Sequence, residues 1–285
     1  MEVKKILVVG AGTMGHGIAQ LVAQQGFEAY LVDREKEIVE KAFLKIKEGL
    51  MKRVEKGKIS KEEAEKVLEK ITVGTDMETF ADADFVIEAV FEDVEVKKKV
   101  FEKLDKIFEP EVVLATNTTA CSISEIATAT RNRKRVIGMH FFNPPVIMKL
   151  VEIIPGLETD ETTVEKTKAM ALMLDKTPVV TKIETPAGIV SRVLAALLNE
   201  AVVVYSEGVA DAKDIDTAMK LGANLPMGPL ELIDMIGVDI HLAKTETLYR
   251  EYGDPRYRPP YILKKMVKAG HLGRKTGRGF YIYEQ

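Results

Sequence analysis

Among the 285 residues, His140 and Glu152 are the pair whose types and spacing could do chemistry. His140 closes the apolar run 135–139 and precedes Phe-Phe-Asn-Pro-Pro, so it falls at the end of a buried strand. Glu152 follows within the segment MKLVEII, where strand alternation puts it on the face that carries Met148, Leu150 and Ile154. A carboxylate on an apolar face needs a partner, because burying it alone costs several kcal/mol. A neighbouring imidazole would satisfy it and would gain orientation and basicity in return, the makeup of a general base. A histidine kept only for packing, satisfied by the same acid, fits these residues equally well.

A second constellation lies at the N-terminus. Gly10, Ala11, Gly12, Thr13, Met14 and Gly15 spell G-x-G-x-x-G, directly after the apolar run 3–9 and before a helical pattern. Such glycines permit a tight turn and the close approach of a pyrophosphate to a helix N-terminus. Asp33 ends the next apolar run, where a carboxylate can accept from an adenosine ribose 2′-hydroxyl and repel a 2′-phosphate, so NAD is expected over NADP. Arg34 beside it could tolerate that phosphate and leaves NADP use open. His16, His241 and His271 read as ordinary histidines, and Cys121, with no base near it in sequence, as a small buried side chain. No H-x-x-x-H, HExxH or carboxylate cluster supports a metal.

These groups need a scaffold of alternating strands and helices. Apolar runs at 3–9, 27–32, 84–90, 112–116, 135–142, 148–154 and 178–182 alternate with helical stretches at about 94–108, 122–129 and 161–174. This predicts an α/β fold, a Rossmann-type, mostly parallel doubly wound sheet. Residues 35–70 are a Lys/Glu-rich helical pair inserted into that order, broken at Gly57 and restarted by the capping box Ser60-x-x-Glu63. Strand signals stop after Pro186, and helices are expected at about 187–207, 212–221, 229–235, 238–252 and 259–269. Two domains follow: 1–185, dinucleotide-binding, and 186–285, all-helical, for substrate and dimerisation. The 41 basic against 44 acidic residues, net −3, carry no excess that would select nucleic acid. The single cysteine points to a reducing, cytoplasmic setting, and no apolar run is long enough for a signal or membrane segment.

The strings GAGTMGHGIA, VIEAVFEDVEVKKKVF, NTTACSI, GMHFFNPPVIMKLVEII, DIDTAMKLGANLPMGPLELIDMIG and GRKTGRGFY resemble the 3-hydroxyacyl-CoA dehydrogenase family, its bacterial 3-hydroxybutyryl-CoA members above all, nearly end to end. The resemblance implies hydride transfer between NAD(H) and a (3S)-3-hydroxyacyl-CoA, with His140 as base and Glu152 orienting it. It implies NAD contacts from Glu92, Lys97, Asn143 and Lys275, and a CoA-phosphate contact from Lys56. Two departures touch the substrate oxygen. The family's NTSS is Asn117-Thr118-Thr119-Ala120 here, in which Thr119 keeps the hydroxyl that binds substrate near the nicotinamide. Its PGFIVNR is Pro186-Ala187-Gly188-Ile189-Val190-Ser191-Arg192, so Ser191 offers one hydroxyl in place of an amide. A dehydrogenase of a non-CoA hydroxy acid or sugar acid, or an NAD-binding protein without turnover, are the other readings. The apolar helical C-terminal domain is expected to support a homodimer.

Overall fold

The computed structural model describes residues 3–284 and divides into two compact units, Met1–Gly188 and Ile189–Gln285. In the first, β1 (Lys5–Val9), β2 (Glu28–Val32), β3 (Ile71–Gly74), β4 (Phe85–Glu88), β5 (Val113–Thr116), β6 (Val136–Phe141), β7 (Leu150–Pro155) and β8 (Thr177–Val180) form one sheet, ordered β3-β2-β1-β4-β5-β6-β7-β8. Its central strands are mostly apolar because helices cover both faces: one core gathers Ile6, Val8, Leu31 and Ile87, the other Leu7, Val86, Phe101 and Leu114. The chain order reverses at β1, which has β2 on one side and β4 on the other, so the loops leaving β1 and β4 open a crevice at their C-terminal ends.

The helices of this unit are α1 (Thr13–Gln24), α2 (Lys36–Glu55), α3 (Lys61–Glu69), α4 (Val94–Ile107), α5 (Ile123–Ala127) and α6 (Glu161–Met173). The helical-pair insertion is α2 and α3, and Ser60 and Glu63 exchange both bonds of the capping box between them. Such a cap contributes about 1 kcal/mol and fixes where α3 starts.

Three details depart from the sequence reading. The strand β3 was not expected: it is four residues long, lies at the sheet edge and buries only Ile71 fully, so it carries little alternation to detect. Met148 does not share the face of Glu152, because it lies in a largely exposed turn and β7 begins only at Leu150. The C-terminal helix expected from 187 starts at Val190, since Ala187 and Gly188 adopt left-handed φ of 67° and 57° that no helix can include.

The second unit holds α7 (Val190–Ser206), α8 (Ala212–Gly222), α9 (Pro229–Ile236), α10 (Val238–Tyr252) and α11 (Tyr261–Lys268) around Leu198, Val202, Leu230, Ile233 and Leu263. Two buried acids tie its C-terminal segment down. Asp216 accepts from Leu230 N, Glu231 N and the Tyr281 hydroxyl, and Asp234 from Phe280 N, Tyr281 N and the Tyr283 hydroxyl. Among the described residues no helix is long and apolar enough to cross a membrane.

Candidate active site

His140 and Glu152 are paired by register. The strand β7 runs antiparallel to β6, and His140 lies directly opposite Glu152, so both side chains leave the same face of the sheet. His140 Nδ1 is 3.0 Å from Glu152 Oε2, with the two residues 6% and 0% exposed. A carboxylate accepts only, so Nδ1 carries the proton of the neutral ring, and Nε2 keeps its lone pair. That Nε2 is 3.3 Å from the Thr119 hydroxyl, and the Phe142 ring packs against the imidazole tilted by 45°, with ring centroids 4.6 Å apart.

Thr119 is held at each of its polar groups. Its N–H donates to Glu92 Oε1 at 2.7 Å, its carbonyl accepts from Ala187 N at 2.7 Å, and its hydroxyl meets His140. The same Glu92 oxygen also accepts from the Thr118 hydroxyl and Ala120 N. One residue group on, Glu184 accepts from Ile123 N and from the Ser122 and Ser124 hydroxyls at the start of α5. Asn117 Oδ1 takes the Phe141 N–H, which ties the end of β5 to the end of β6.

Lys97, for which the resemblance implies an NAD contact, lies in α4. It is wholly buried, with Nζ 2.9 Å from Glu88 Oε1 and 3.5 Å from Glu92 Oε2, so its ammonium is occupied from within. Burial opposes its charge, yet Glu88 and Glu92 together hold its pKa above the ordinary lysine value. Burial likewise works against ionising Glu92, but Lys97 and the bonds from Thr118, Ala120 and Thr119 bring its carboxyl below the usual range. Glu88, which also accepts from the Thr116 hydroxyl and Val90 N, was missed in sequence. Its only signal is an acid ending the apolar strand FVIE, nine residues before a lysine.

The glycine loop fits a pyrophosphate. A Cβ on Gly10 would come within 2.6 Å of the Ala89 carbonyl and one on Gly15 within 1.7 Å of the Gly10 carbonyl, so both close the turn against the chain itself. A Cβ on Gly12 would meet nothing within 4 Å, and α1 has neither a side-chain cap nor an acidic residue in its first turn. The helix N-terminus beside the exposed Thr13 and half-buried Met14 is thus open to an anion. Asp33 accepts from Ala11 N at 2.7 Å and Arg34 N at 2.8 Å, and so sits on the loop itself. Arg34 turns to Glu35, with its side chain mostly in solvent.

The remaining residues are more scattered. Asn143 is exposed in the loop after β6, whose Pro145 packs on Gly17 of α1 and whose Pro145 and Met148 carbonyls accept from the buried Lys176. Lys56 is exposed at the C-terminal end of α2. In the second unit, Ser191 is buried in the first turn of α7 and Lys275 pairs with Asp239 at 2.6 Å. The thiol of Cys121 is half-buried, and burial pushes its pKa up to about 11.

A doubly wound sheet with an open glycine-rich turn after β1, an acid ending β2 and a histidine at the edge of β6 defines a dinucleotide-dependent oxidoreductase. Residues 5–184 match the 3-hydroxyacyl-CoA dehydrogenase NAD binding domain, and residues 189–283 match the C-terminal domain of the same enzymes. The chain belongs to the 3-hydroxyacyl-CoA dehydrogenase family, and its cofactor is NAD. It is 44% identical over 281 residues to the 3-hydroxybutyryl-CoA dehydrogenase of Clostridioides difficile, an alignment covering 99% of this chain and all of that protein. It is 42% identical to the 3-hydroxybutyryl-CoA dehydrogenase of Bradyrhizobium diazoefficiens, over 99% of this chain and 96% of that one. The crystal structure of (S)-3-hydroxybutyryl-CoA dehydrogenase from Ralstonia eutropha superposes with a TM-score of 0.96 at 41% identity, over the whole of both chains.

Proposed function

We propose that this protein interconverts a (3S)-3-hydroxyacyl-CoA, 3-hydroxybutyryl-CoA foremost, and the matching 3-ketoacyl-CoA, with His140 as the general base. The observation that carries this is the orientation of the imidazole: Glu152 occupies Nδ1, and Nε2 is left with its lone pair beside the Thr119 hydroxyl. In that tautomer Nε2 can take the proton of a substrate hydroxyl, and Glu152 stabilises the imidazolium that results. NAD supplies the hydride acceptor. Thr119, fixed at its N–H, carbonyl and hydroxyl, holds the substrate oxygen next to the base, and in the second unit Ser191 is a substrate-binding hydroxyl, as the resemblance implies. Asp33 receives the adenosine ribose, and Asn143 and Lys275 contact the dinucleotide. Lys97 acts through Glu92, since its own ammonium is enclosed, and Lys56 meets the CoA phosphates. The single free cysteine supports a cytoplasmic setting, and the apolar groove of the second unit at Leu197, Ala201, Val204 and Ile215 supports a homodimer.

The test is NADH absorbance with acetoacetyl-CoA set against free 3-keto and 3-hydroxy acids. Turnover of the thioester is expected. Turnover of the free acids alone would replace this reading with a non-CoA dehydrogenase, and tight NADH binding without turnover would leave a binding protein.

A further inference from the structure

The segment that closes the first unit presses its backbone against the dyad. Glu184 anchors its start on Ser122, Ile123 and Ser124, Ala187 donates to the Thr119 carbonyl, and Gly188 ends it with φ 57°. A Cβ at Gly188 would lie 2.1 Å from Glu152 Oε2, the oxygen that holds His140 Nδ1, and 3.0 Å from Glu152 Cδ. No real Cβ sits so close, and the atom it would displace is the carboxylate itself rather than a strand or helix. Glu152 cannot retreat freely, because its side chain is 1% exposed within a sheet strand flanked on both sides. In the resembled motif PGFIVNR the glycine stands one position earlier. Here that place is Ala187, forced to φ 67°, and the glycine has moved to the residue that faces the acid.

We propose that Gly188 is a positioning residue for catalysis: the bare backbone there sets where the Glu152 carboxylate stands, and through it the orientation of His140. This rests on the dyad reading above, and the two can fail separately.

The experiment is a double-mutant cycle on the full chain with Gly188→Ala and Glu152→Asp, following acetoacetyl-CoA reduction. Gly188→Ala is expected to lower kcat about 10- to 100-fold with NADH affinity within about twofold of wild type. Its pH–rate profile is expected to be displaced in the same direction as that of Glu152→Gln, because both weaken the carboxylate's hold on the imidazole. Aspartate is one methylene shorter and makes room for the new methyl, so the double variant is expected to be no slower than Glu152→Asp alone. A Gly188→Ala enzyme with unchanged kcat and pH profile and only a lower Tm, or a double variant showing the full product of both losses, overturns the proposal. If Glu152→Asp and Glu152→Gln are themselves silent, the dyad reading has failed and the assignment falls with it. Should Gly188→Ala not fold, the Ala187→Gly background relieves the neighbouring strain and carries the same cycle. Failure to fold there as well, with or without Glu152→Asp, makes Gly188 a residue of the fold and also overturns the proposal.

Discussion

At the scale of single residues, the dyad makes the sharpest demands. His140→Ala is expected to reduce turnover by about 10² to 10⁴ while NADH affinity barely changes, the usual loss when a general base is removed. Glu152→Gln keeps the imidazole and loses only its charged partner, so the rate falls less and the pH profile moves. Steady-state kinetics with NADH fluorescence titration checks both, and full activity in His140→Ala would require another base. Asp33 is expected to make NAD(H) the better cofactor, since it stands on the glycine loop through Ala11 and a phosphate brought to that carboxylate is repelled. Equal kcat/KM with NADPH would show that Arg34 governs the site despite its pairing with Glu35.

At the scale of elements, the loop after β5 is a short run of backbone that cannot hold its shape alone. Its N–H groups are spent on Glu92 at 119 and 120 and on Glu184 at 123, so two acids from distant segments stand in for the ladder the strand no longer supplies. Glu92 is in turn kept charged by Lys97, which Glu88 holds from the other side. Lys97→Met leaves two carboxylates without their cation, one of them wholly buried. It is expected to lower stability by about 3 to 5 kcal/mol and to impair turnover through the displaced Thr119. Denaturant unfolding and kcat of the same variant check this together, and a stable, fully active Lys97→Met would sink the relay.

At the scale of the whole molecule, the two units respond to acid for different reasons. In the second, His241 is buried and neither ring nitrogen meets a partner among the described residues; burial, with Lys244 adding to it, brings its pKa down to about 4. The unfolded chain takes up that proton near the ordinary value of 6.5 and the folded chain only near 4, so stability falls as pH drops between them, by roughly 3 kcal/mol. Asp234, pushed up by burial, gains its proton earlier in the folded chain and works in the opposite direction. The difference between the protein and its His241→Leu variant isolates the imidazole: calorimetric Tm values that diverge from pH 6.5 to 4 are expected, and parallel curves would refute it. In the first unit, Asp105 meets Arg131 and Arg135, and although burial opposes its charge these partners hold its pKa at about 2. Its contribution is present above pH 3.8 and is lost only as pH falls toward 2.

The amino-acid sequence by itself determined the alternating α/β order, the helical insertion, the glycine turn and the candidacy of His140 and Glu152. Each of these is local: apolar runs, a capping box, a G-x-G-x-x-G spacing and strand alternation act over a few residues and leave a periodic trace. The weak edge strand β3 left no such trace, because a half-exposed strand of four residues need not alternate. Only the tertiary structure decided that β7 turns antiparallel and sets Glu152 opposite His140, that Lys97 is enclosed by Glu88 and Glu92, and that Gly188 abuts the dyad. Those facts are contacts between side chains of different elements, set by how strands, loops and helices pack, and no periodicity records which charge a buried lysine meets or which residue must lack a Cβ.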